Sequence, residues 1–371
     1  MLAALRFQIT YPSYPHFSLA FFLFTSSLLS FLLGHLIVRL VDATRMCPSK
    51  PDSYQIDSAK LRRFTFFMTC AALAILALNL VTSGLPPAFS FLGLTTEGYA
   101  EYGKLKQLLF PLLMVIFVNS FLETSRTRKL LYSSFAFFGL FCYVARGVLM
   151  IVLLQALIVF SIRTSMKKKK IYLVSICGVI AAAFLADIIG SNRTSDAILF
   201  AGMQIKTQFQ QWPTLYVWGI SYISSPLSNL CWLVDTAHFD HVTWSFAYQL
   251  LPSFWLPLNP HQYLLGSSNI VDGVDTYLAN YFLDFSYFGI FLINVSIGMM
   301  SGYYSSANRI NRKFLTCSVF LASIGFMFFW DFFLYLQIVV ELGLQALAQW
   351  YFIRELGPSQ GVGAQPAING L

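Results

Sequence analysis

Apolar residues in this chain run in long blocks instead of alternating or recurring on one helical face. Nine blocks stand out, over 17–41, 64–81, 107–122, 130–145, 147–164, 171–189, 284–306, 314–330 and 333–353. About 20 apolar residues of helix suffice to cross the hydrocarbon core of a bilayer, so each block is predicted to be a membrane-spanning helix. The fourth and fifth blocks are parted only by Arg146-Gly147, and the last two by Trp330-Asp331. One helix of roughly 35 apolar residues would exceed what a tilted span needs. Both junctions are therefore predicted as tight turns at a membrane face.

The polar segments between blocks alternate in basic content. Arg45, Lys50, Lys60, Arg62 and Arg63 fall in 42–63, and Arg126, Arg128 and Lys129 in 123–129. Arg163 and the run Lys167–Lys170 fall in 163–170, and Arg309, Arg312 and Lys313 in 307–313. Lys and Arg accumulate in cytoplasmic loops, which places these four segments and the C-terminus inside and, with nine spans, the N-terminus outside. A re-entrant segment or a further helix would change the count. The predicted fold is an all-α integral membrane protein, a polytopic bundle of about nine to eleven transmembrane helices. It forms one domain over 1–356, followed by a disordered tail over 357–371 rich in Gly, Pro, Ala and Gln. The first apolar run is long and lacks a small-residue cleavage pattern, so no cleavable signal is expected.

Composition excludes a soluble protein. Hydrophobic residues make up 57% and charged residues 11%, against about a quarter charged in soluble domains. The net charge of +8 is accounted for by the inner loops, so membrane lipids and not nucleic acid are the expected partners. Cys70, Cys142, Cys177 and Cys317 sit in apolar stretches, while Cys47 and Cys231 do not, and no Cys-x-x-Cys occurs. They read as small packing residues, without a disulfide framework.

Two segments are predicted outside, 82–106 and the much longer 190–283. The first carries Gly84-Leu85-Pro86-Pro87, Tyr99, Glu101, Tyr102 and Lys104; the second carries His238, His241, His261 and aromatic stretches such as 216–222. Long connections in compact proteins are usually functional. The chain lacks a Gly-x-x-x-x-Gly-Lys-Ser/Thr loop, an Asp-x-Asp pair and a His-Glu-x-x-His site, so neither nucleotide, metal nor other cofactor is expected. Two isolated outer arginines stand against the topological bias, Arg146 at a turn and Arg193 in Gly190-Ser191-Asn192-Arg193-Thr194. Each could be an anchor snorkelling to phosphate headgroups. Together they could clamp a lipid-linked diphosphate, since a guanidinium offers a fixed fork of donors to phosphate. Asn269, Asp272, Asp275, Thr276, Tyr281 and Asp284 precede the seventh span. They suit hydroxyl binding and a base role, or simply cap a helix. Asp331 and Glu341 lie within the last hairpin. A carboxylate there is a functional candidate, or faces a polar neighbour in the bundle.

Three groups of residues resemble the Wzy-type O-antigen polymerases, which join oligosaccharide repeat units in bacteria. They are Arg146-Gly147 with Gly190-Ser191-Asn192-Arg193; Tyr222-Ile223-Ser224-Ser225-Pro226-Leu227-Ser228-Asn229-Leu230; and Asp275-Thr276-Tyr277 with Tyr281 and Asp284-Phe285-Ser286-Tyr287-Phe288-Gly289. The resemblance covers roughly 80–310, and one departure is Ser286, where the family often shows Gly; the change reads as mild. The resemblance implies a GT-C-like fold with a large periplasmic loop in the bacterial inner membrane, without metal or nucleotide. It implies transfer of a growing glycan from undecaprenyl diphosphate to a new lipid-linked repeat unit. The partners would be undecaprenyl-diphosphate-linked oligosaccharides and a separate chain-length regulator. Arg146 and Arg193 would stabilise the departing diphosphate. Asp275 and Asp284 would orient glycan or act as base, beside Tyr222, Asn229, Asn269, Thr276 and Tyr281, with His241 as a binder and weaker candidate base. A flippase and an O-antigen ligase are the competing functions, and a membrane scaffold is the non-catalytic one.

Overall fold

The computed structural model describes residues 17–44, 54–92, 103–143, 145–164, 277–306, 313–327 and 335–355, with short pieces at 211–212, 230–231, 233–234 and 250. The elements are α1 (Phe17–Thr44), β1 (Tyr54–Ile56), α2 (Ser58–Ser83), a 3₁₀ turn (Pro87–Leu92), α3 (Gly103–Ser120) and α4 (Arg126–Cys142). Then follow α5 (Arg146–Thr164), α6 (Tyr277–Tyr304), α7 (Phe314–Phe326), α8 (Leu336–Phe352) and β2 (Ile353–Glu355). Eight of the predicted apolar blocks fall on these helices; 171–189, the Trp330-Asp331 junction and the tail over 357–371 lie outside the described residues. The other predicted junction is a break between two helices. α4 ends at Cys142, Tyr143 leaves the helix at φ −88 and ψ 2, and Arg146 opens α5.

Among the described residues, 18–44, 58–83 and 284–304 are helices long and apolar enough to cross a membrane. Shorter apolar helices cover 107–120, 147–163 and 314–326. Many large apolar side chains point outward, among them Phe22 at 62%, Val81 at 84% and Phe288 at 74% exposure. A soluble surface rarely shows contiguous patches of that kind, whereas lipid tails solvate them. The chain is a membrane protein.

Two bodies of helices make up the described bundle. In the first, α1 and α6 run parallel and in register along their length. Gly34 meets Val295 and Met299, Gly298 meets Phe31, Gly302 meets His35, and Arg39 donates to Ser305. Gly298-x-x-x-Gly302 is the small-residue spacing that lets membrane helices approach backbone to backbone. Because the pair is parallel, residues 17 and 277 share one end. In the second body α3 is the hub, packed on α2, α4, α5 and α8, with Leu113–Val118 all buried. α7 packs on α5 and α8 and also touches α6.

The polar ends follow the predicted charge pattern. β1 pairs antiparallel with β2, and Asp57 N donates to Phe352 O at 2.9 Å, tying the C-terminal end of α8 to the start of α2. Asp57 caps α2 by accepting from Ala59 N and Lys60 N, both at 3.1 Å. Those bonds, the one to Lys60 foremost, hold its carboxyl below the usual carboxylate range. Arg163 donates to Leu122 O at 3.2 Å, Lys129 lies over Phe121 and Phe160, and Arg128 pairs with Glu123 at 3.3 Å. Burial pushes the Glu123 carboxyl up, and Arg128 beside it pulls the other way. The described parts of the basic segments thus converge on one end of the bundle. Gly84 closes α2 at the opposite end with φ 80, a left-handed conformation glycine adopts without strain.

Candidate functional site

The sequence points to the end remote from those basic residues, and three of the ten candidate residues fall among the described ones. Arg146 is the first residue of α5. Arg163, at the other terminus of that helix, lies at the basic end, so α5 separates the two arginines by its whole length. The N-terminus of a helix carries a partial positive charge and free N–H groups, so Arg146 stands where an anion is already favoured.

Tyr281 and Asp284 lie on the first turns of α6, three residues apart and hence on one face. They are 4% and 6% exposed. Tyr281 packs in a cluster with Leu278 and Phe282, with Ala20 and Leu23 of α1, and with Leu230, Cys231 and Leu233 of the long connection. That cluster brings the segment immediately after the candidate Asn229 onto the face of α6 that holds Tyr281. Arg193, Tyr222, Asn229, His241, Asn269, Asp275 and Thr276 lie outside the described residues.

Directly after Asp284 the helix is broken. Ser286 has φ 55 and ψ −155 inside α6, the one non-glycine with positive φ among the described residues. That region is close to glycine-only, and holding another residue there costs on the order of 1–3 kcal/mol. The Ser-for-Gly departure is therefore not mild: the residue sits where glycine alone is at ease. Phe282 and Tyr287 stack edge to face across the break, with centroids 5.4 Å apart. Phe285 is folded against the next turn, where a Cβ on Gly289 would collide with the Phe285 Cβ. The stretch 284–289 is thus a built kink, and Asp284 stands at its start.

An apolar groove of about 420 Å³ runs beside this kink between α6, α7 and α8, from Tyr281 and Phe285 to Met300. Deeper still, Glu341 of α8 faces a polar neighbour. Gln155 Nε2 of α5 donates to its Oε2 at 3.1 Å, and both residues are fully buried. Sequence reasoning marked Glu341 but missed Gln155; the signal was a lone amide at the centre of an uncharged span. It also passed over Gln337 and Gln345, one turn to either side of Glu341, whose spacing of four puts all three on one face. Among the described residues no group of three His, Cys, Asp or Glu could hold a metal ion.

In comparisons with protein-family models, with curated proteins and with solved structures, nothing matches this chain.

Proposed function

We propose that this chain is a metal-independent membrane glycosyltransferase that polymerises oligosaccharide repeat units carried on undecaprenyl diphosphate, an O-antigen polymerase. In this proposal the chain forms nine to eleven spans of GT-C-like arrangement in the bacterial inner membrane, with 190–283 on the periplasmic face. One observation carries it. Arg146 opens α5 at the end remote from the basic loops, the same end on which α6 presents Tyr281 and buried Asp284 at a strained kink. A cation for the diphosphate and a carboxylate for the sugar then belong to one membrane face.

In the mechanism, Arg146 and Arg193 hold the diphosphate and stabilise the negative charge that grows on it as the glycosidic bond to the carrier breaks. A sugar hydroxyl of the incoming unit attacks the anomeric carbon, and Asp275 or Asp284 takes its proton. Tyr222, Asn229, Asn269, Thr276 and Tyr281 hold glycan hydroxyls, with His241 as the second candidate base. The test is complementation of a deletion strain with Arg193→Ala and Arg146→Ala. Loss of the polymer ladder with the membrane protein still present supports the assignment, and full polymerisation by Arg193→Ala removes it. The flippase reading gains from the buried polar stripe of α8, since transport paths are lined by such groups. It predicts loss of every periplasmic repeat unit, which the same gels would show.

A further inference from the structure

The stripe on α8 has no role in the glycosyl transfer described above. Gln337, Glu341 and Gln345 are at most 2% exposed, and Gln155 facing them is fully buried. Gln155 is the middle residue of α5, so the group lies at the centre of the bundle. Because Gln155 must donate its amide to the carboxylate, its own oxygen is left over. Four oxygens then lack a hydrogen-bond partner: Oε1 of Gln155, Gln337, Glu341 and Gln345. Two unpartnered amide nitrogens, Nε2 of Gln337 and Gln345, accompany them. Acceptors outnumber donors, and the one formal charge is negative.

A carboxylate placed in such surroundings costs several kcal/mol unless its charge is matched. The described Lys and Arg residues of the neighbouring helices, Lys60, Arg62 and Arg63 of α2, Lys104 and Lys106 of α3, Arg146 and Arg163 of α5 and Lys313 before α7, sit at helix ends. An excess of hard oxygen acceptors around one negative charge calls for a small cation. A divalent ion would want further carboxylates, which the described residues do not supply.

We propose that Glu341, Gln155, Gln337 and Gln345 form a binding site for one monovalent metal cation of the sodium or potassium class, held by carboxylate and amide oxygens. Glu341 lies one turn from each glutamine of its own helix, so both amides can converge on the ion it holds.

The test uses the full chain purified in detergent, with unfolding followed by tryptophan fluorescence in sodium, potassium or choline chloride at equal ionic strength. A ligand that binds only the folded state raises the midpoint with its concentration. We expect sodium or potassium to raise it by several degrees over choline, and Glu341→Gln to abolish that rise. Gln345→Ala, which keeps the charge, should raise the half-saturating concentration about tenfold, and it serves if Glu341→Gln fails to fold. Equal midpoints in the three salts would overturn the proposal, as would a cation effect that persists unchanged in Glu341→Gln. A midpoint that follows pH and not the metal ion would give the balancing charge to a proton and overturn it too.

Discussion

The parallel contact of α1 and α6 makes a substitution at Gly298 costly, whereas Gly343 of α8, outside that contact, tolerates one. A Cβ on Gly298 would overlap the Phe31 carbonyl and lie 2.9 Å from its carbon and 3.1 Å from His35 N. These are backbone atoms, so no side chain can turn aside, and the helices must separate by on the order of 1 Å to restore ordinary contact. Overpacking of this kind costs about 1–3 kcal/mol. Separation also strains the bonds from Arg39 to Ser305 O and Oγ, at 3.1 and 3.2 Å. We expect Gly298→Ala to lose about 2–3 kcal/mol. Gly343 on α8 would meet nothing within 4 Å, so Gly343→Ala should gain up to about 1 kcal/mol from helix propensity. At about 2 °C per kcal/mol for a large chain, Gly298→Ala should unfold roughly 5 °C earlier in detergent. Gly343→Ala should match or exceed the parent. A Gly298→Ala midpoint at or above the parent's would refute the backbone contact between α1 and α6.

Ser286→Gly should relieve the left-handed strain and raise stability by about 1 kcal/mol, read as a higher midpoint, whereas Ser286→Ala should give no such gain. Removing the carboxylate cap with Asp57→Ala should lower the midpoint at neutral pH. Because the folded carboxyl titrates below its ordinary value, the stability it adds is present above the ordinary aspartate range. It is lost as pH falls through the depressed folded value, so the two midpoints should converge in acid. Arg128→Ala strands the buried Glu123 carboxylate beside Arg62 alone, and should lower the midpoint while lowering it less under mildly acidic conditions that neutralise the acid. Arg146→Ala should reduce polymer length or abolish the ladder at unchanged protein level, measured by gel and immunoblot.

The apolar helices were legible because hydrocarbon thickness imposes a length and forbids charge, and that signal survives in single blocks such as 64–81. The side on which the basic residues gather was legible for the same reason, and the contacts of Arg163 with Leu122 and Asp57 with Phe352 agree with it. Helix starts were harder to read. α2 begins at Ser58, before its apolar block, because Asp57 caps it and Lys60, Arg62 and Arg63 lie at its polar end. Neighbour relations were less legible still, since lipid-facing and buried positions are equally apolar. The Gly298-x-x-x-Gly302 spacing was the readable trace of the α1 contact. The kink at Ser286 was invisible because it depends on tertiary support and contradicts local preference. Arg146 and Asp284 could be named from residue type and position, the charge pattern of the loops set both on one side, and the directions of α5 and α6 agree with it.

Deleting the gene in its native host and running a lipopolysaccharide gel decides whether the chain polymerises repeat units. If the chain is the polymerase, the ladder collapses to core plus a single repeat unit, because units still reach the periplasm and are ligated. If the single-repeat band disappears as well, export or ligation is the missing step and the polymerase assignment is contradicted.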